Sequence, residues 1–392
     1  MAVAFRADRL FDGRSDKPLE DGVVVVDGET IAYAGPRSGC PRVSETVDLG
    51  DATLLPGLID AHVHLVWSAG PLPHELVRQE SRGLTMLRCA GNVARHLRAG
   101  VTTIRDVGST DGMAIDVRSA IEKGVLRGPR VVAAGRAVAM TGGHAHYLGR
   151  EADGVDGVRL AVREELKAGA DCIKVMASGG VYGHREEVGN PQLSVEEMRV
   201  AVDEAHKAGR KVTAHAYSSQ AIANALDAGV DCLEHGSFLE RDAADRMLRS
   251  GVFLVPTLSV YRAMFETAAE LGTPEYIVRK TERVSQASRA ALRTALEAGI
   301  RLAAGTDCGA PGHPHGQLAR EVELMVEYGA SPAQALRAAS AGGADLLELG
   351  DEVGTLEPGK RADVVAVAEN PLRDVGALRA VRLVLLGGEA VA

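Results

Sequence analysis

Leu55-Pro56-Gly57-Leu58-Ile59-Asp60-Ala61-His62-Val63-His64-Leu65 is the stretch on which the reading of this chain turns. It reads as a strand: short, apolar, and opened by a proline and a glycine. Side chains alternate along a strand, so His62 and His64 point to one face, as two ligands of a single metal ion require. Two structural histidines are the plainer alternative. The choice depends on whether later segments bring matching groups to the same end of a sheet.

Downstream, short apolar runs alternate with longer stretches rich in Ala, Leu, Glu and Arg, which is the rhythm of βαβ units. Eight strands are predicted, over residues 55–65, 101–107, 130–134, 172–176, 211–216, 232–235, 253–256 and 301–306. A helix is predicted over 194–208, where Ser194 and Glu197 have capping-box spacing. Five helix-to-strand joints share one form: Ala99-Gly100-Val101, Ala168-Gly169-Ala170, Ala208-Gly209-Arg210, Ala228-Gly229-Val230 and Ala298-Gly299-Ile300. A glycine there ends a helix with positive φ and lets a strand begin at once. The repetition favours a (β/α)8 TIM-like barrel. A doubly wound open sheet is the alternative, but neither G-x-G-x-x-G nor G-x-x-x-x-G-K occurs.

The two ends of the chain read differently. Residues 22–28, 30–35, 362–367 and 381–388 are β-rich runs punctuated by glycine and aspartate. The predicted organisation is an α/β fold in which 1–56 and 357–392 form a small β-sandwich domain around a barrel of 57–356.

Composition narrows the functional classes. With 53 acidic against 44 basic residues the net charge is −9, and neither sign forms a long block, so nucleic acid is an unfavoured partner. No apolar run reaches the roughly 18 residues of a membrane helix, and the N-terminus lacks a secretory pattern. A cytoplasmic location, with no membrane partner, is therefore expected. Five scattered cysteines without a C-x-x-C pair are read as reduced thiols, with Cys172, Cys232 and Cys308 as small core residues.

In a barrel of this kind, functional groups collect at the C-terminal ends of strands. His215 and His235 fall at the ends of the fifth and sixth strands, and Asp307 closes the eighth. A carboxylate there can bind metal and exchange a proton with bound water; a helix cap is its simpler role. Lys174 lies among apolar neighbours in the fourth strand, where an unpaired ammonium is costly. It requires either an acidic partner, which the strand alone favours, or conversion by carbon dioxide to a metal-bridging carbamate.

The set Pro56 to His64, Lys174, His215, His235 and Asp307, with Gly354-Thr355-Leu356-Glu357-Pro358-Gly359-Lys360-Arg361-Ala362-Asp363, resembles the amidohydrolase superfamily over nearly the whole chain. The phrases Ile173 to Val181, Ala214-His215-Ala216-Tyr217 and Pro314-His315-Gly316 look like the branch of Xaa-Pro dipeptidases and related carboxypeptidases, near the imidazolonepropionases. This resemblance implies two divalent metal ions, zinc in kind. His62, His64 and Asp307 would bind one ion and His215 and His235 the other, with carboxylated Lys174 between them. It also implies attack by a metal-bridging hydroxide, with Asp307 as proton shuttle, and a homo-oligomer.

The implied reaction is hydrolysis of an amide bond in a small-molecule substrate, a dipeptide or N-acyl amino acid. A cyclic amide, ester, lactone or amidine-type deamination substrate is the alternative, because one metal centre serves all these electrophiles. His144 and Tyr217 are suited to donate to a carbonyl oxygen or a substrate carboxylate, structural hydrogen bonds being their simpler use. Trp67 is a candidate pocket wall. His146, Tyr182, His184, His313 and His315 are loop candidates for specificity, and Arg185, Glu186 and Glu187 are read as a solvated cluster, with contact to a charged substrate as the sharper alternative.

Overall fold

The computed structural model describes residues 2–392. Strands from both chain ends pair in one eight-stranded sheet. Its members are β1 (Val3–Leu10), β2 (Leu19–Asp27), β3 (Thr30–Pro36), β4 (Glu45–Asp48) and β5 (Ala52–Pro56), which are joined later in the chain by β15 (Val364–Ala368), β16 (Val381–Leu386) and β17 (Glu389–Ala390). The sheet forks at β1, which pairs in parallel with β4 through Val3 to Arg6 and with β5 through Arg9 and Leu10. One apolar face packs around Phe5, Leu10, Val24, Ile31, Leu54 and Val364.

Between those ends lie nine parallel strands in two groups. One contains β6 (Leu58–Val63), β7 (Val101–Asp106) and β8 (Arg130–Ala133). The other contains β9 (Ala137–Ala139), β10 (Gly149–Glu151), β11 (Cys172–Met176), β12 (Lys211–Ala216), β13 (Cys232–His235) and β14 (Phe253–Val255), in the order β10-β9-β11-β12-β13-β14. Helices separate most of these strands, though none lies between β8 and β9, and the Ser194 capping box forms as its spacing predicts. At the five Ala-Gly joints the glycine φ runs from 66° to 96°, a region costly for any side chain.

Two predicted elements differ. The run 55–65 is not one strand: Leu54 to Pro56 belong to the end sheet, and Leu58 to Val63 to the parallel one. The break is at Gly57, where a Cβ would meet Thr102 Oγ1 at 2.1 Å, so the chain passes between sheets only without a side chain. Gly57→Ala is therefore expected to cost about 1–3 kcal/mol by overpacking. Urea unfolding checks this, and Thr102→Ala in the same chain should return part of the loss.

The second difference is the predicted eighth strand. Residues 301–308 run between β14 and β6 but form only isolated bridges, Leu254 with Leu302 and Val63 with Cys308. The segment is tied to both sides by Ala303 N to Leu254 O (3.1 Å), Ala61 N to Ala304 O (2.9 Å) and Asp307 N to His62 O (2.7 Å). It escapes a regular ladder because the Asp60 carboxylate takes over Thr306, accepting from its N–H at 2.9 Å and its hydroxyl at 2.7 Å. On the other side β8 and β11 do not pair. The Asp171 N–H bonds Ala133 O there at 2.8 Å, and the Asp171 carboxylate accepts from Ala133 N at 2.9 Å. Among the described residues no helix is long and apolar enough to cross a membrane.

Candidate metal centre

The C-terminal ends of the parallel strands converge on one pocket. His62, His64, Lys174, His215, His235 and Asp307 all line it, together with His144, Tyr217, Trp67, Tyr182 and Tyr261. Donor atoms of His62, His235 and Asp307 lie within 4.8 Å of one another. Asp307 Oδ1 sits 3.5 Å from His62 Nε2 and 3.4 Å from His64 Nε2, is buried, and has no hydrogen-bond partner among the described residues. A buried carboxylate oxygen aimed at two imidazole nitrogens and satisfied by none fits a cation.

The histidines are oriented from behind. His64 Nδ1 lies 2.8 Å from the Gly108 carbonyl, which can only accept, so Nδ1 carries the proton and the Nε2 lone pair faces Asp307. His62 Nδ1 donates to Glu234 at 2.7 Å, which leaves its Nε2 in the same situation. His235 Nδ1 is engaged by Thr257 Oγ1 at 2.7 Å and by the Tyr261 hydroxyl at 2.9 Å. His215 Nε2 lies 3.3 Å from the Gly179 carbonyl. Burial lowers the His62 pKa to about 4 and drives His64, His215 and His235 well below the ordinary range, so all four stay neutral at pH 7. Neutral imidazole is the form that ligates metal.

Lys174 is 1% exposed, and among the described residues no carboxylate lies within ion-pair distance of it. Burial lowers its pKa, opposed by Glu234 and Asp307. Burial likewise raises Asp307, against the pull of Lys174. Glu234 has other partners. It accepts from Arg105 at 2.7 Å, from His62 at 2.7 Å and from the Thr213 hydroxyl. Burial would lift its carboxyl, but Arg105 and then His62 outweigh this and hold it well below the usual carboxylate range. The acidic partner that the fourth strand alone suggested for Lys174 is thus committed to a neighbouring arginine.

Arg105 and Glu234 escaped the sequence reading, although each is a charged residue inside an apolar strand, the same signal that singled out Lys174. Backbone strain marks the site as well. His235, Thr257 and Asp307 have φ of 69°, 47° and 54°, and non-glycine residues held there cost roughly 1–3 kcal/mol each.

The remaining predicted residues separate. His144 stacks on His215 with ring centroids 4.4 Å apart. Tyr217 packs edge-on to His215 at 4.6 Å and accepts a hydrogen bond from Tyr261 at 3.2 Å. Trp67 walls the pocket against His64, with centroids 4.6 Å apart. Ala145 and Tyr182 also line an outer vestibule with His146, His184, Arg185 and Arg78.

Glu186 corrects the reading of a solvated cluster. Its carboxylate accepts from His144 Nδ1 at 3.0 Å and from Gly183 N at 2.9 Å. Burial would raise its carboxyl, but His144 in charge and hydrogen bond, with the loop N–H groups, brings it down to about 2. Lys280 holds the same loop through the Gly183 carbonyl at 2.8 Å and the Glu186 carbonyl. His313 bonds Ser259 Oγ and Thr306 O, both at 3.1 Å, and His315 lies behind Asp307; neither lines the pocket or the vestibule.

The sequence profile of the amidohydrolase family matches residues 53–391. A crystal structure of a Xaa-Pro dipeptidase with bound methionine in the active site superposes with a TM-score of 0.90 at 32% identity, covering 100% of both chains. A prolidase complexed with N-methylphosphonate-L-proline gives 0.92 at 33% identity, covering 100% of this chain and 99% of that one. Ochratoxinase from Aspergillus niger is 31% identical over 399 residues, covering 92% of this chain and 80% of its own length.

Proposed function

The chain belongs to the amidohydrolase family, and from that premise we propose that it is a binuclear metal-dependent hydrolase acting on the amide bond of a dipeptide or N-acyl amino acid. One observation supports the binuclear reading: Lys174 is buried in the pocket that the candidate ligands line, with no carboxylate within ion-pair distance among the described residues, while Glu234 is committed to Arg105 and His62. A carbamate on Lys174 removes the cost of a lone buried ammonium and supplies two oxygens between the histidine pairs.

In this reading His62, His64 and Asp307 hold one divalent cation, His215 and His235 the other, with the Lys174 carbamate between. Zinc suits this imidazole and carboxylate set. Two such ions, when bound, activate water and polarise a carbonyl. Asp307 would take up a proton from the nucleophile and pass it to the leaving nitrogen. Tyr217 and His144 donate to the substrate's carbonyl or carboxylate oxygen, with Glu186 positioning the His144 ring. The fold proposed to present them is a TIM-like barrel in which residues 301–308 take the eighth strand's place, beside a small β domain built from both chain ends.

The vestibule supports this substrate class: Arg78 and Arg185 line it beside Glu75, Glu186 and Glu187, and a guanidinium is suited to a free terminal carboxylate. The similarity to a prolidase that binds a phosphonate analogue of an acyl-proline supports the same class. A zinc-reconstituted screen of dipeptides, N-acyl amino acids, cyclic amides, esters and lactones tests this. Turnover confined to substrates with a free carboxylate is expected, and hydrolysis of lactones or cyclic amides with no dipeptide cleavage would overturn it. In the same assay His144→Ala should lower kcat/KM by about 10²-fold, with zinc content unchanged.

A further inference from the structure

Behind the turn that carries Asp307, three further metal-ligating side chains meet. His96 comes from the helix Arg82–Arg98, Cys308 follows Asp307 directly, and His315 lies in the loop beyond; they are 0%, 0% and 3% exposed. Their donor atoms lie within 4.8 Å of one another. His96 Nε2 is 3.0 Å from His315 Nδ1, and Cys308 Sγ is 3.1 Å from His315 Nδ1 and 3.7 Å from His96 Nε2. Metal bonds of about 2.0–2.1 Å to nitrogen and 2.3 Å to sulfur, opened at tetrahedral or trigonal angles, put donors roughly 3.3–3.9 Å apart. The three atoms need to move only a few tenths of an ångström.

Protons can link the triad in a chain, His315 Nδ1–H to Cys308 Sγ and the thiol to His96 Nε2, but a cation engages all three donors at once. If His96 donates through Nε2, the Cys308 thiol competes with it for the single lone pair on His315 Nδ1. If both rings carry their proton on the inner nitrogen, two N–H groups oppose each other at 3.0 Å. His96 Nδ1 is buried without a hydrogen-bond partner among the described residues, while the Trp67 carbonyl acts on the His315 ring from outside the triad. A cation takes all three inner lone pairs at once.

We infer that His96, Cys308 and His315 form a second, sulfur-containing site for one thiophilic transition-metal ion of the Zn(II) or Cu(I) class. Two imidazoles and a thiolate are the donors that such ions select. On binding, the S–H bond of Cys308 breaks, a sulfur–metal bond forms, and the proton leaves to solvent. The site is distinct from the pocket centre, whose candidate ligands offer only nitrogen and oxygen. It is nonetheless joined to that centre, because Cys308 O accepts from His64 N at 3.3 Å and Asp307 is its neighbour in the chain. Occupancy would stiffen the strained turn at Asp307.

Cobalt(II) is the probe. Titrating the demetallated full-length protein should raise a sulfur-to-cobalt charge-transfer band in the near ultraviolet that saturates at one equivalent per chain and is displaced by Zn(II). In Cys308→Ser the band should vanish while cobalt bound to nitrogen and oxygen donors remains. His96→Gln, which keeps the thiol and much of the volume, should weaken the band's apparent affinity at least tenfold. Absence of the band in the unmodified protein, its persistence in Cys308→Ser, or unchanged affinity in His96→Gln would each overturn the inference.

Discussion

On the proposed binuclear reading, Lys174→Ala is expected to lower kcat/KM by at least ~10³-fold and to reduce bound zinc from two ions per chain to one or fewer, because the proposed bridging carbamate is lost. Lys174→Met separates this loss from mere cavity formation. Methionine fills nearly the same space and carries no charge, so the metal-free variant should be as stable as the metal-free parent or more stable, by up to about 3 kcal/mol. Activity and stability then move in opposite directions. Elemental analysis after zinc reconstitution in bicarbonate buffer, with urea unfolding of the chelated proteins, reads both. Retention of two zinc ions and full turnover by Lys174→Ala would rule out the bridge.

The second large effect is structural. Glu234→Gln should destabilise the metal-free protein by about 3–5 kcal/mol, since it strips the counter-charge from a buried guanidinium. Arg105 is only 4% exposed in its side chain, and its other acceptors are the Ala61 carbonyl at 2.7 Å and the sulfur of Cys232. Removing both charges tests the cause: Arg105→Met with Glu234→Leu should recover much of the stability. It should not recover zinc affinity, which falls roughly 10–100-fold because His62 has lost the acceptor that orients it. A Glu234→Gln protein within about 0.5 kcal/mol of the parent would show that the pair does not matter to folding.

These two residues illustrate what was legible from the sequence. Lys174 and Glu234 are each one charged residue in an apolar strand, and strand periodicity is enough to predict that both are buried. Which of them is paired is not a local property. Arg105 reaches Glu234 across 129 positions, and His62 reaches it across 172. Similarly, Pro314-His315-Gly316 reads as a loop near the mouth, but the chain folds that loop behind Asp307 and against His96, 219 positions away.

By itself the sequence determined the alternation of strands and helices, the glycine-terminated joints, and the presence of one imidazole pair and three further strand-end groups, because these depend on spacing along the chain. It also determined the family, since the motifs run nearly end to end. Tertiary structure decided the rest. Gly57 divides one apolar run between two sheets because Thr102 leaves no room for a side chain, and Thr306 abandons its ladder because Asp60 offers better acceptors. Glu234 is withdrawn from Lys174 by Arg105. Each outcome is a competition between groups far apart in sequence, settled by which of them can approach within hydrogen-bond distance once the chain is packed.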